Sequence, residues 1–193
     1  MHHFFAYLSR LKHINRWNLM RNVRQENVME HTCEVAMIAH GLTLIQNARY
    51  GGALDPQRAA VLALYHEAGE VITGDLVTPV KYYNPQITGA FKQIEALAQE
   101  KVCDMLPEDL AGAYRGIILN GETEPEWPYV KAADRICAYL KCVEELKGGN
   151  SEFQKAAQSI LRSIQALKLE AVGDFMAEFA PSYALALDEL NEP

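Results

Sequence analysis

The sequence predicts an all-α fold: a compact single domain, spanning residues 1–193, of six to nine helices. Three observations predict it. Apolar residues recur at three- and four-residue steps in nearly every segment. The segments open on cap residues and close on glycine or proline. Alternating strand patterns are nearly absent, as are repeats, low-complexity tracts and heptad runs.

Near the start, Phe5, Leu8, Leu11 and Ile14 recur at three-residue steps. Asn27 is a good N-cap, and Glu30 three residues later completes a capping-box pattern. Val28, His31, Val35, Ile38, Leu42 and Ile45 then form one helical stripe, and "YGGAL" breaks it. Asp55 and Pro56 open the next helix as cap and first helical residue. It is expected to run to about Val71, with Gly74 closing the region. "DLVTPVKYYNPQ" reads as a loop. A helix from about Pro85 to Met105 carries Phe91, Ile94, Ala98, Val102 and Met105 on one side, and a shorter one runs from Pro107 to about Leu119. "NGETEPEWP" is an acidic loop. "YVKAADRICAYLKCVEELKGG" is a strong helix stopped by Gly148 and Gly149, and a helical tail follows, kinked or split at Pro181.

Composition narrows the functional classes. The chain has 193 residues, 49% of them apolar, which suits a folded domain rather than disorder. Its net charge of −7 disfavours nucleic-acid polymers and anionic membranes as partners, while leaving room for a local basic pocket. Cys33, Cys103, Cys137 and Cys142 form no C-x-x-C pair and lie in apolar segments, as reduced and mostly buried thiols would. "MHHFFAYLSRLKHINRW" lacks the layout of a secretory signal, and no apolar run approaches the roughly 20 residues of a membrane span. The expectation is a soluble cytoplasmic protein.

Polar groups stand where helices should be apolar. His31 lies on its helix's apolar stripe. His66 continues the stripe of Ala59 and Leu62, with Glu67 beside it and Glu70 one turn on. Asp134 lies between Val130 and Ala138. A buried carboxylate is costly unless it is paired or bound to a metal. Two imidazoles and two carboxylates suit a divalent cation, which lowers the pKa of water and offsets phosphoryl charge. Taken singly, each reads more readily as a hydrogen-bonded core histidine or a surface pair, and spacing alone leaves the joint metal-site reading open. "HEAGE" is not the zincin signature, which needs a second His where Glu70 stands.

The order His31, then His66-Glu67, then Asp134 resembles the H…HD…D pattern of HD-domain metal-dependent phosphohydrolases. "RLKHINRW" and "TGDLVTPVKY" are more specific. With "VKAADRICAYLKCVEEL" and the tail "PSYALALDEL", they resemble the bacterial HD-domain 5′-deoxynucleotidases over nearly the whole chain. The resemblance implies an HD-domain helical bundle. Its site would come from helices near 10–20, 27–46, 56–71 and 128–147. It implies a cytoplasmic homodimer that removes phosphate from deoxyribonucleoside 5′-monophosphates using a divalent cation (Co, Mn, Mg or Zn). His31, His66, Glu67 and Asp134 match metal ligands, and Glu70 matches the catalytic carboxylate, either as acid to the leaving oxygen or as a guide for the attacking water. Arg16, Trp17, Asp75, Thr78, Pro79, Val80 and Lys81 match substrate contacts.

One residue departs from the pattern: Glu67 stands where the family has Asp. Its extra methylene extends the carboxylate by about 1 Å, a displacement to which catalytic geometry is sensitive. The expectation is retained metal binding. The alternatives are a nucleotide-binding HD protein with weakened or lost turnover, and an HD hydrolase of nucleoside triphosphates.

Overall fold

Helix α1 (Phe4–Leu8) is short: Leu8 packs inward as expected, but the inward residue before it is Phe4 in place of Phe5. Phe4 is buried against the rings of Tyr65 and Tyr114, while Phe5 is 60% exposed. A 3-10 turn over Ser9–His13 buries Leu11. The computed structural model describes residues 1–81 and 83–191, with the backbone alone at Thr78. Residues 14–27 form an irregular loop where a helix near 10–20 was expected. Its neck is closed by an Asn15–Asn27 bridge and by Val28 N–H donating to Ile14 C=O at 2.9 Å.

Helix α2 (Val28–Tyr50) starts on the expected capping box. Glu30 N–H donates to Asn27 Oδ1, and Asn27 N–H donates to Glu30 Oε2. Its stripe Val28, His31, Val35, Ile38 and Leu42 is buried. Gly51 ends it at φ 72°, in the left-handed region where glycine carries no steric cost. Helix α3 (Pro56–Tyr65) is capped by Asp55, which accepts from the N–H groups of Gln57 and Arg58.

The helix expected to reach Val71 stops at Tyr65. His66 N–H turns back to Ala63 C=O, and the same carbonyl takes the His66 Nδ1 at 2.7 Å. The chain crosses 66–69 in tight turns and resumes as α4 (Glu70–Thr73). Helix packing enforces this path. A Cβ on Gly69 would lie 3.2 Å from Gln99 Cγ and 3.6 Å from Glu95 C=O, so the turn presses on the helix carrying those residues. Gly74, at φ 70°, then turns the chain away.

One helical turn, α5 (Thr78–Lys81), forms inside the stretch expected to be loop. The long α6 (Pro85–Cys103) buries Ala98 and Val102 as expected but leaves Ile94 52% exposed. Then come α7 (Glu108–Ile118), α8 (Trp127–Lys147), α9 (Gln154–Gln165), α10 (Glu170–Glu178) and α11 (Leu187–Leu190). A 3-10 turn over Ala180–Ala184 marks the break at Pro181. Among the described residues, seven helices run nine residues or longer, within the expected six to nine. None is long and apolar enough to cross a membrane.

Helix α2 packs against α3, α8 and α10. Their shared core includes Val35, Ala39, Leu42, Leu62, Val130, Ala133, Ile136 and Leu140. Burying a side chain of Leu or Ile size contributes about 1.5–3 kcal/mol, so this core fixes the relative positions of the helices it joins. Of the cysteines, Cys103, Cys137 and Cys142 are buried and Cys33 is exposed.

Candidate metal and phosphate site

His31 sits one turn into α2, His66 at the C-cap of α3, Glu67 in the turn that follows, and Asp134 two turns into α8. Because α2, α3 and α8 pack on one another, these four side chains meet. One donor atom from each lies within 4.8 Å of all the others. Two imidazoles and two carboxylates gathered this closely would suit a single divalent cation.

Other observations support that fit. His66 Nδ1 faces the Ala63 carbonyl, which only accepts. Nδ1 therefore carries the proton and Nε2 the lone pair, the arrangement of a metal-ligating imidazole held from behind. His66 Nε2 and Glu67 Oε2 are buried and have no hydrogen-bond partner, an arrangement that is costly without an ion. His31 Nε2 is 3.2 Å from Asp134 Oδ1, and His66 Nε2 is 3.7 Å from Glu67 Oε1. Burial and the nearby Arg16 guanidinium hold His31 down at about 4, so it is neutral and available as a ligand at physiological pH. Burial pushes Asp134 upward, but the His31 hydrogen bond and Lys131 outweigh it and hold the carboxylate well below its usual range. Glu67 is likewise held down against burial by His66, His31 and Arg16.

Beside this cluster opens a cavity of about 320 Å³, large enough for a mononucleotide-sized ligand. Asp134 belongs to both the cluster and the cavity wall. Arg16, Trp17, Asp75 and Pro79 line the cavity too. Arg16 is nearly buried, its Nη1 3.5 Å from Glu26 Oε2 and without a hydrogen bond. Trp17 donates through Nε1 to Glu26 Oε2 at 3.2 Å and packs on Phe153 at 5.3 Å between ring centroids. Its φ of 58° is left-handed, a strained conformation for a bulky residue, costing about 1–3 kcal/mol and found where surroundings over-determine it. Glu70 has a buried, unpaired Oε2. Burial, then Glu67 and Asp75, push its pKa up to about 9, so it carries a proton at neutral pH.

The remaining expected contacts divide. Lys81 donates to Glu95 Oε1 at 2.8 Å and lies over the Phe91 ring, so its ammonium is engaged with α6. Val80 is 46% exposed. Among the described residues the cavity wall includes neither. The side chain of Thr78 lies outside the described residues. Sequence reasoning missed Leu19, Met20, Val77, Arg135, Ala138, Ile160 and Ser163 on the wall, and Glu26 behind Arg16 and Trp17. Ile160 and Ser163, three residues apart on α9, signal only a helix face. Glu26 carried no signal, because its partners are ten and nine residues away on an irregular loop.

A family model of YfbR-like 5′-deoxynucleotidases matches residues 3–183. A 5′-deoxynucleotidase of Erwinia tasmaniensis is 53% identical over 191 residues, which is 98% of this chain and 96% of that protein. The 5′-deoxynucleotidase YfbR of Salmonella paratyphi B is 51% identical with the same coverage. Among solved structures, an HD-domain phosphohydrolase from Listeria innocua superposes with a TM-score of 0.81 at 22% identity, covering 93% of this chain and 87% of its own. A cyanophage S-2L HD phosphohydrolase, bound to dA and one catalytic Zn²⁺ ion, superposes at 0.63 with 19% identity, covering 92% and 95%. These two establish the fold they share with this chain.

Proposed function

Because the chain belongs to the YfbR-like 5′-deoxynucleotidase family, we propose that it hydrolyses deoxyribonucleoside 5′-monophosphates to deoxynucleoside and phosphate. It would act as one HD domain over residues 1–193, in the cytoplasm and as a homodimer. The observation that carries this reading is the junction at Asp134. A cluster of two imidazoles and two carboxylates there adjoins a cavity walled by a nearly buried guanidinium and a fixed indole.

His31, His66, Glu67 and Asp134 would hold the metal. Their mixed nitrogen and oxygen donors suit Zn²⁺, Co²⁺ or Mn²⁺ better than Mg²⁺, which prefers to keep its waters. The cyanophage neighbour binds Zn²⁺, one of these ions. When bound, the ion offsets charge on the phosphoryl oxygens and activates the attacking water. Arg16 meets the phosphate with a planar pair of N–H donors, a geometry well matched to phosphate oxygens. Phosphoryl transfer depends mainly on such positioning. Water supplies the oxygen of the new P–O bond and leaves its protons on the released phosphate. The bond to O5′ breaks with its electron pair on O5′, and Glu70 gives its proton to that oxygen and regains one from solvent. Burial beside Glu67 and Asp75 favours the protonated form of Glu70 in the metal-free site. Trp17, held by Phe153 and Glu26, would pack against the sugar and crowd a 2′-hydroxyl.

The test is phosphate release from dAMP and AMP by chelator-stripped protein resupplied with Mn²⁺, Co²⁺, Zn²⁺ or Mg²⁺. Release from dAMP well above AMP, abolished again by chelator, is the expected result. Absence of release from every deoxynucleoside monophosphate with all four ions would sink the proposal. Triphosphate released from dATP in place of phosphate from dAMP would move the assignment to a triphosphate hydrolase.

A further inference from the structure

We infer that Lys141 and Glu145 form a buried latch that positions the loop 14–27, and with it Arg16 and Trp17, for recognition of the deoxynucleotide. This rests on the reading of those two loop residues as substrate contacts. Both latch residues lie on α8, the helix of Asp134, so the latch ties the substrate loop to the helix that supplies a metal ligand.

Side chains of Lys and Glu are almost never fully buried unless paired. Here they are 4% and 1% exposed, with Lys141 Nζ 2.5 Å from Glu145 Oε1. Their other polar contacts are with the loop and its anchor. Lys141 Nζ donates to Arg24 C=O. Glu145 Oε2 accepts from Val23 N–H at 2.8 Å and Oε1 from Arg24 N–H at 3.2 Å. Asn150 Nδ2 bridges Glu145 Oε2, at 2.8 Å, and Arg21 C=O, at 2.6 Å. The loop's neck is closed separately at Asn15–Asn27 and by Arg16 N–H donating to Glu26 C=O. Trp17 lies between the two fastenings.

Stability alone does not account for the pair. A buried ion pair is often matched or bettered by apolar residues of the same volume. Apolar residues could not satisfy the backbone groups of Val23 and Arg24, which an irregular loop must place somewhere. The latch also backs the indole. Lys141 Nζ lies 5.9 Å from the Phe153 ring centroid, and Phe153 packs on Trp17. The left-handed backbone of Trp17 persists only while both sides of the loop are pinned. Lys141 and Glu145 are therefore positioning residues, acting through Arg16 and Trp17.

The test measures kcat and KM for dAMP and AMP, bound metal and Tm for Lys141→Met, Glu145→Gln and Asn150→Ala. Val172→Ala, in the main core, serves as a control for lost stability. The latch variants should raise KM for dAMP by about tenfold, and narrow the dAMP-to-AMP ratio of kcat/KM by a similar factor, with metal content unchanged. Val172→Ala should lower Tm and leave both readouts in place. Latch variants that lose Tm but keep the wild-type KM and ratio overturn the inference. If Lys141→Met and Glu145→Gln do not fold, Asn150→Ala decides it, with about a threefold rise in KM expected and no change overturning it. If the wild type hydrolyses no deoxynucleotide, the enzymatic reading falls separately. The latch is then judged by dAMP binding read from tryptophan fluorescence. Weaker binding by the variants supports it, while equal binding, or none by the wild type, overturns it.

Discussion

Glu145→Gln imitates the protonated form of a carboxyl that the fold keeps ionised, so its effect on stability can be worked out in advance. Burial pushes the Glu145 pKa up. Lys141, the Val23 N–H, Asn150 and the Arg24 N–H overcome that and bring it down from 4.5 to about 2. With each tenfold change in proton affinity worth about 1.4 kcal/mol, the ionised carboxylate contributes about 3 kcal/mol at neutral pH. The folded value is the depressed one. The contribution is therefore fully present above the unfolded value of 4.5 and is lost as pH falls from there toward 2. At about pH 3.5 roughly 1.4 kcal/mol of it is gone. The variant lacks the contribution at every pH. Urea unfolding of both proteins should show a gap of about 3 kcal/mol at neutral pH, narrowing to about 2 kcal/mol near pH 3.5. Taking the difference between the proteins cancels the titration of every other carboxylate. A gap that stays constant across that range, or one below about 1 kcal/mol at neutral pH, would refute the reasoning that these hydrogen bonds act on an ionised group.

Further outcomes follow from the site. Glu70→Gln keeps the shape but loses the proton, and should cut kcat for dAMP by about 10²- to 10⁴-fold while bound metal, measured by elemental analysis, stays the same. Glu67→Asp withdraws the carboxylate by about 1 Å from a turn that Gly69 holds against α6, so chelator competition should show metal affinity weakened by about tenfold. An unchanged or tighter affinity would mean that the 66–69 turn moves to follow the shorter side chain. Stripping metal from protein held at about 100 times its Kd removes about 2.7 kcal/mol of linked stability, so Tm should drop by about 5–10 °C and recover on adding the ion back.

Most of the helices, and two of the candidate metal-site residues, could be read from the sequence because both depend on local pattern. Asn27 with Glu30, and Asp55 with Pro56, cap their helices where the sequence placed them. His31 and Asp134 stood out as polar groups in apolar surroundings. The harder features depend on contacts between distant segments. The break after Tyr65 is set by the His66 ring taking Ala63 C=O and by α6 pressing on Gly69. The burial of Phe4 in place of Phe5 in α1 follows from the pocket that Tyr65 and Tyr114 make for it. In "LKCVEEL", Lys141 and Glu145 have the spacing of an ordinary surface pair. Only the return of the loop at 21–24, more than a hundred residues away in sequence, buries them.

The departure at Glu67 takes its sense from that same break. On an uninterrupted helix, residues 66 and 67 would point about 100° apart, and a longer side chain at 67 would swing its carboxylate away from an ion held by His66. Leaving the helix at Tyr65 changes the direction as well as the reach. In the turn, a Glu67 oxygen comes within 4.8 Å of donors from His31, His66 and Asp134. Glu67 Oε2 is buried and unpaired, and the group's pKa is held down against its burial. An unused acid would be expected to turn to solvent or find a hydrogen bond, since desolvating it without either is costly. The longer side chain therefore fits the turn that carries it, and the metal titration of Glu67→Asp measures how closely the two are matched.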